Sequence, residues 1–301
     1  LHDVLHVDGS EPIVICPVDP YVDNSYYQTI AGLDKYVKKN TANLTLMGIE
    51  PTVPSDKYGY IIPETNDEVS IVREFKEKPD IETAKKYEFE MIEILGEGPF
   101  FKNDNLEFAN TDLEICIHAP TVDLNIASLN TGIRKESVKQ MKDALDYGKK
   151  INATALTIHP GQIGRNEDRI RRYALELAIE SIGELVDYSD IVVSVENMPE
   201  RFSFLGNKVE ELERIQNETG CGLTIDVGHG NTCGNCEEFL DLKNISYCHL
   251  NDNNGVKDQH ITLGEGTLDL NLLKKVDKGI IELNNFDNVL KSKEVIKNLL
   301  K

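Results

Sequence analysis

The sequence predicts an α/β protein whose larger part folds as a closed (β/α)8 barrel. From residue 69 onward, eight short apolar segments alternate with longer segments of helical period. Continuous apolar strands between amphipathic helices are typical of a parallel sheet covered by helices, and eight such strands suffice to close a barrel. Histidines and carboxylates stand at the ends of most of these segments. Because a barrel carries its chemistry at the carboxyl ends of its strands, a functional site is expected there.

The predicted barrel strands are residues 69–75, 91–95, 114–118, 155–159, 191–196, 223–226, 245–250 and 279–283. Segment 91–95 has the place of the second strand, so the first must come from the chain before it. Segment 69–75, followed by a short helix at 81–87, has the right order and length to substitute for the first β/α unit. If it does not take this place, the barrel stays open between its second and eighth strands, which leaves an exposed sheet edge.

Helices are predicted between most of the strands, for example at 135–149 and 168–188. The second of these carries apolar residues at helical spacing, at Ile170, Ala174, Leu177, Ala178, Ile182 and Leu185. Residues 1–68 form a separate strand-helix-strand segment, with strands at 13–16 and 44–49 and a helix at 24–39. The sequence therefore predicts two parts, 1–68 and 69–301.

Composition limits the class of protein. A chain of 301 residues with 40% hydrophobic residues can bury a full core. Its apolar runs are shorter than the roughly 18 residues that a membrane helix needs, and it does not open with a secretion signal, so a cytoplasmic location is expected. The net charge of −20 argues against non-specific nucleic-acid binding, since phosphate contacts need a surplus of Lys and Arg. The single C-x-x-C, Cys233 and Cys236, is interpreted as an ordinary loop.

The candidate site consists of polar residues at the strand ends. Five of the seven histidines lie there, together with four acids. Imidazole plus carboxylate is the ligand set of zinc or a similar divalent ion, and a buried carboxylate without a partner is unstable. Two further acids, Glu97 and Glu265, stand between glycines and are interpreted as turn residues. The sequence predicts a divalent-metal centre at His118, His159, Glu196, Asp226, His229, His249, Asp258, His260 and Glu282.

The first part of the chain resembles a known family. The segments IVICPVDPYVD, NLTLMGIEPTVPSDKYGYI and VREFKEKPD, within residues 1–87, are similar to the middle of a mannose-1-phosphate guanylyltransferase. The resemblance implies the sugar-facing residues of that family, such as Glu77 and Lys78. That family holds the nucleotide phosphates with a Gly-rich loop, and we expect that loop to be missing here. We therefore expect a fragment kept for structural reasons rather than an active guanylyltransferase.

Residues 88–301 resemble the xylose-isomerase-like barrels, and among them the endonuclease IV family (AP endonuclease family 2). The resemblance lies in the motifs HAPTVDLNIAS, IHPGQIG, VSVENMPE, TIDVGHGN, YCHLND, DQHITLGEGTLD and GIIELN. In that family three zinc ions cleave the DNA backbone 5′ to an abasic site. The resemblance implies that His118, His159 and Glu196 hold one zinc, that Glu196, Asp226, His249 and Glu282 hold a second, and that His229, Asp258 and His260 hold a third. Glu196 would bridge two ions, and Glu196 and Glu282 would flank the attacking hydroxide as the catalytic residues.

A different function uses the same barrel. Sugar isomerases and epimerases of this superfamily use one metal ion, and two glutamates move protons beside it. The ligand set for that ion, Glu196, Asp226, His249 and Glu282, is also complete. His118, His159, Asp258 and His260 favour three ions, because a one-metal enzyme has no use for them. For the site as a whole we expect up to three Zn²⁺ ions, with Mn²⁺ or Mg²⁺ as alternative metals.

Two departures from the endonuclease pattern leave the substrate open between abasic DNA and a small sugar phosphate. Residues 119–122 are APTV where that family has bulky residues, and ENMPERFSFLG is closer to the isomerases. Candidate phosphate contacts are Arg165, Arg169, Arg201 and Lys257. A further alternative is an inactive scaffold or a truncated guanylyltransferase. Metal-dependent phosphoester hydrolysis is the favoured function.

Overall fold

The computed structural model describes residues 28, 32–33, 60–63, 72–76, 81–97 and 106–301. The chain divides into two compact units, Leu1–Glu77 and Lys78–Lys301. The assignment of 1–68 to a guanylyltransferase-like fragment stays a prediction. The strands predicted at 13–16 and 44–49 lie outside the described residues, as do Glu77 and Lys78; of the helix predicted at 24–39, only positions 28, 32 and 33 are described, and they are helical.

Within the first unit, strands β1 (Tyr60–Pro63) and β2 (Val72–Lys76) pair antiparallel, with Tyr60 opposite Lys76. The expectation that segment 69–75 supplies the first barrel strand is therefore wrong, since β2 belongs to this two-stranded sheet. Two physical reasons account for the difference. Three of the five residues of β2 are charged, unlike a barrel strand that is buried on both faces. Pairing with a nearby segment also closes a shorter loop.

The second unit is built on a sheet of seven parallel strands in sequence order, which forms a nearly closed barrel. The strands are β3 (Met91–Leu95), β4 (Glu114–His118), β5 (Ala155–Ile158), β6 (Val192–Glu196), β7 (Gly222–Asp226), β8 (Ile245–Leu250) and β9 (Gly279–Ile281). The predicted barrel is confirmed, with seven strands in the described residues rather than eight. Its edges are β3 and β9. A cavity of about 500 Å³ lies between them, lined mainly by apolar residues of both strands and of the last helix.

Helices follow the strands as predicted. They are α1 (Ile81–Lys86), α2 (Thr131–Lys150), α3 (Asp168–Tyr188), α4 (Val209–Thr219), α5 (Val227–Cys233), α6 (Cys236–Leu240) and α7 (Phe286–Leu299), with 3-10 turns at Glu107–Asn110 and Leu270–Lys275. Helix α2 begins at a side-chain cap, since Asn130 Oδ1 accepts from the backbone N–H groups of Gly132 and Ile133. Helix α3 buries the predicted apolar face, including Ala174, Ala178 and Ile182.

Strand register sets the position of the site. In the parallel ladders, Leu95 is opposite His118 and Asp226 is opposite His249. The carboxyl ends of the strands therefore meet at one rim of the barrel, where their terminal side chains face one another. None of the described helices combines the length and the apolar character needed to cross a membrane.

Candidate metal centre

The nine predicted residues lie together at this rim in three groups. In each group, one donor atom from every residue lies within 4.8 Å of the others. The groups are His118, His159 and Glu196; Glu196, Asp226, His249 and Glu282; and His229, Asp258 and His260. Glu196 belongs to two of them.

The two oxygens of Glu196 face different groups. Oε2 lies 3.3 Å from Nε2 of His118 and 3.1 Å from Nε2 of His159. Oε1 lies 2.9 Å from Nδ1 of His249, which is itself 3.1 Å from Oε2 of Glu282. A carboxylate with one oxygen directed to each side is the arrangement needed to bridge two cations.

The third group is centred on one oxygen of Asp258. Its Oδ2 lies 3.3 Å from Nε2 of His229 and 3.1 Å from Nε2 of His260. Helix α5 carries His229, and Asp226 caps that helix by accepting a hydrogen bond of 2.6 Å from the His229 backbone N–H. The cap connects the second group to the third through the backbone.

The remaining ring nitrogens of three histidines contact backbone carbonyls. Nδ1 of His118 donates to the oxygen of Ala119 at 2.9 Å, and Nδ1 of His229 donates to that of Asn197 at 2.7 Å. Nδ1 of His260 likewise donates to the oxygen of Glu282 at 3.2 Å. A carbonyl can only accept, so each of these rings carries a proton on Nδ1 and directs its Nε2 at the group. Such outer hydrogen bonds orient metal-binding imidazoles.

Burial and charge act in opposite directions on the acids. Burial opposes ionisation of Glu196, but the neighbouring imidazoles of His249, His118 and His159 outweigh it and hold its pKa well below the usual range. For Asp226 burial prevails and raises the pKa to about 6. Buried acids of this kind need a positive partner.

A divalent cation fits these residues. Oε2 of Glu282 is buried and makes no hydrogen bond of good geometry among the described residues, although Nδ1 of His249 is close to it. Five imidazoles and four carboxylates converge, and this is the donor set of zinc. His260 also has a φ of 47°, a left-handed conformation that few residues other than glycine adopt.

Sequence reasoning missed four residues that support the groups. Asn197 holds the Asp226 backbone on both sides, accepting from its N–H at 2.6 Å and donating to its carbonyl at 2.9 Å. Asn251 donates to Oδ2 of Asp226 at 2.8 Å. The other two are Glu93, which contacts His249, and Asp252, which holds the loop after β8. The available signals were an amide directly after Glu196 in VEN, an amide two residues after His249 in LND, and a single acid within the apolar strand MIEIL.

Other candidates have structural or surface positions. Glu97 accepts hydrogen bonds from the backbone N–H and hydroxyl of Thr121 and from the N–H of Val122, so it shapes the loop after β4. Glu265 is exposed in a turn. The four candidate phosphate contacts, Arg165, Arg169, Arg201 and Lys257, are exposed.

The two cysteines of the C-x-x-C motif are free thiols. Cys233 ends α5 and Cys236 begins α6. Burial raises the pKa of Cys233 to about 11 and that of Cys236 to about 12. A redox-active cysteine has instead a lowered pKa, so these positions favour the ordinary loop.

Comparison with known proteins agrees with the barrel, and it also finds a second family in the first part of the chain. Residues 81–299 match a family model described as xylose isomerase-like TIM barrel. Residues 2–129 match a model described as nucleotidyl transferase. The two resemblances seen in the sequence are thus confirmed at the level of these families.

Individual relatives cover most of the barrel. The uncharacterized protein MJ1311 of Methanocaldococcus jannaschii is 31% identical over 244 residues, which are 73% of this chain and 83% of the relative. A probable endonuclease 4 of Thermoplasma acidophilum is 28% identical over 178 residues, 53% of this chain and 61% of the relative. A crystal structure of a D-tagatose 3-epimerase-like protein is 32% identical with a TM-score of 0.66, covering 73% of this chain and 91% of that one. The chain belongs to the xylose isomerase-like TIM barrel family.

Proposed function

We propose that this chain is a metal-dependent phosphodiesterase of the endonuclease IV type, which binds three divalent ions, zinc by preference, and cleaves DNA 5′ to an abasic site. The observation that carries the proposal is the orientation of the Glu196 carboxylate, whose two oxygens face two separate groups of donors. A third complete group stands beside them at Asp258. A single-metal enzyme requires neither a glutamate shared between two groups nor the third group.

The chain's own residues would bind and orient. Glu196 would hold two ions at a fixed separation, and Glu282 would complete the second group opposite it. Divalent ions bound there would lower the pKa of water and stabilise the attacking and leaving oxygens of a phosphoryl displacement. The carbonyl contacts of His118 and His229 would keep these imidazoles in one tautomer throughout the reaction.

The substrate part of the proposal rests on likeness and charge. The probable endonuclease 4 among the relatives supports DNA as the substrate. Bound divalent ions would make this rim locally positive despite the net charge of −20, and so attract a phosphate. Exposed Arg165, Arg201 and Lys257 are available for further contacts to the backbone. A cytoplasmic location stays a prediction.

A sugar or sugar-phosphate epimerase is the second candidate. The 32% identity to a D-tagatose 3-epimerase-like protein favours it. In this function a single ion would be held by the second group, and Glu196 and Glu282 would take up and return a proton on a sugar carbon. The site residues required for that chemistry are a subset of those present.

The Asp258→Asn variant separates the two functions. Protein purified without chelators is tested for metal content by elemental analysis and for nicking of an abasic-site duplex. If the proposal is right, the wild type binds about three ions per chain and cleaves the duplex. Asp258→Asn should lose one of these ions and most of the cleavage activity. Asp187→Asn, an exposed position on α3, is the control. A wild type that binds its ions but does not nick the duplex favours the epimerase. So does a wild type that binds a single ion and whose epimerase activity is retained in Asp258→Asn. A wild type that binds no ion favours a scaffold.

A further inference from the structure

Glu93 lies beneath the second group, on the edge strand β3. Its side chain is 7% exposed, and its Oε2 lies 2.9 Å from Nε2 of His249. The opposite ring nitrogen, Nδ1, faces Glu196 and Glu282. The imidazole of His249 is thus placed between the donor group on one side and a carboxylate outside that group on the other.

This outer partner distinguishes His249 from three of the other histidines at the rim. The rings of His118, His229 and His260 have neutral backbone carbonyls as outer partners. A carboxylate adds a full negative charge, which favours the tautomer with the proton on Nε2 and makes the opposite nitrogen a stronger donor. The Nε2–H is not aligned on Oε2. The two side chains therefore interact by electrostatic attraction across the 2.9 Å between Nε2 of His249 and Oε2 of Glu93, rather than by a well-formed hydrogen bond.

A buried chain of hydroxyls fixes Glu93. The phenol of Tyr247 donates to Oε1 of Glu93 and is also hydrogen-bonded to the hydroxyl of Thr157. Thr157 in turn contacts the hydroxyl of Thr224 at 2.7 Å, and Thr224 contacts that of Ser194 at 2.8 Å. These residues come from strands β5 to β8 and are fully or almost fully buried. A satisfied polar network of this kind is rigid, so the carboxylate has a defined position.

We propose that Glu93 is a positioning residue that acts through His249, and that its negative charge strengthens ion binding at the Glu196, Asp226, His249 and Glu282 group more than at the other two groups. The inference rests on the metal centre of the proposed function. It holds for the hydrolase and for the epimerase alike, because both use this group.

The test is a zinc titration of the whole chain in competition with a chromogenic chelator, for the wild type and for Glu93→Gln. Glutamine keeps the shape and the acceptor oxygen but removes the charge. We expect one of the three ions to bind about 10- to 100-fold more weakly, the range measured when outer partners of metal ligands are replaced. Glu114→Gln is the matched control, because Glu114 lies at the start of the neighbouring strand β4 and pairs with Lys278 and Thr154.

Two further measurements separate positioning from packing. Circular dichroism and gel filtration of chelator-treated protein should give the same fold and size for Glu93→Gln and the wild type, since the substitution is isosteric. Tyr247→Phe removes the anchor but not the charge, so a smaller loss of affinity is expected at the same ion. Unchanged affinity for all three ions in Glu93→Gln, or equal weakening of all three, would overturn this inference alone. A wild type that binds no ion at this group would overturn the proposed function as well.

Discussion

Asp252 and Gly266 are in such close contact that a β-carbon on residue 266 would lie 2.3 Å from Oδ1 of Asp252. The carboxylate of Asp252 is fully buried and accepts hydrogen bonds from four backbone N–H groups. The donors are Asn253, Gly264, Gly266 and Leu268. The loop that carries Asp258 and His260 is therefore folded around one buried charge, and residue 266 must be glycine for the loop to close.

Gly266→Ala should release the third group and spare the first two. The added methyl group would displace Asp252, and a buried carboxylate that loses hydrogen bonds costs about 1–3 kcal/mol for each group left unsatisfied. We expect the ion at His229, Asp258 and His260 to be lost, which elemental analysis of the purified variant would show as two ions instead of three.

The control for this experiment is Gly183→Ala. A β-carbon at residue 183, within α3, has open space around it. Replacing a helical glycine by alanine stabilises the fold by roughly 0.4–1 kcal/mol when no clash results. The control should therefore keep all three ions and unfold at an equal or higher temperature. A Gly266→Ala variant that also retains three ions would show that the third group does not depend on this contact.

Glu196→Gln should remove two ions at once. The neutral amide cannot supply a negative oxygen to each of two groups, whereas the third group contains no atom of Glu196. Elemental analysis should find about one ion per chain, and nicking of an abasic duplex should fall more than about 100-fold, beyond the loss seen for outer partners of ligands. Glu200→Gln, an exposed neighbour in the same segment, should behave as the wild type. Two or more ions in Glu196→Gln would contradict the bridging role.

The polar rim of the barrel could be predicted from the sequence because a local sequence pattern and the geometry of parallel strands agree there. Apolar runs such as EICIH and VSVE each end in a polar residue, and parallel strands bring their ends to one side. Strands β3, β4 and β8 have the predicted bounds, and α3 does as well. The positions of His118 and Glu196 followed directly from those strand ends.

The features that the sequence did not predict depend on contacts between different segments of the chain. The outer role of Glu93 depends on His249, which is 156 residues further along the chain, and no local pattern distinguishes it from an ordinary strand residue. The role of Asp252 depends on the path of the loop up to Leu268. The pairing of Val72–Lys76 could not be predicted because an antiparallel and a parallel strand of that length have overlapping patterns.

Substitution of the C-x-x-C cysteines should leave the centre intact. Burial raises the pKa of Cys233 to about 11, so only about 0.1% of this thiol is ionised at pH 8, and the thiolate is the form that reacts and binds metal. Cys233→Ser and Cys236→Ser should each retain three ions. Alkylation of Cys233 in the wild type should be slow near neutral pH and rise about tenfold per pH unit, because the thiolate population grows as the pH approaches the raised pKa.

The measurement is mass-spectrometric quantification of Cys233 carboxamidomethylation across pH, with unfolded protein as the reference. The thiols of an unfolded chain have an ordinary pKa of about 8.5, so their rate should level off above that pH while that of Cys233 continues to rise. Rapid alkylation at neutral pH would reveal an activated cysteine. A fall in zinc content on Cys233→Ser would identify the motif as part of a metal site.

Removal of the ions should lower the unfolding temperature, because the three groups join residues at the ends of β4, β6, β7 and β8 to the segments after β5 and β9. An ion present at 100 times its Kd stabilises the folded state by about 2.7 kcal/mol, which corresponds to roughly 5–10 °C for a unit of this size. Differential scanning calorimetry before and after chelation should show this decrease, and added zinc should reverse it. The Glu196→Gln variant should show a smaller decrease, since it has fewer ions to lose. An unfolding temperature that is the same with and without chelator, at saturating zinc in the reference sample, would mean that these nine residues do not hold an ion in the folded chain.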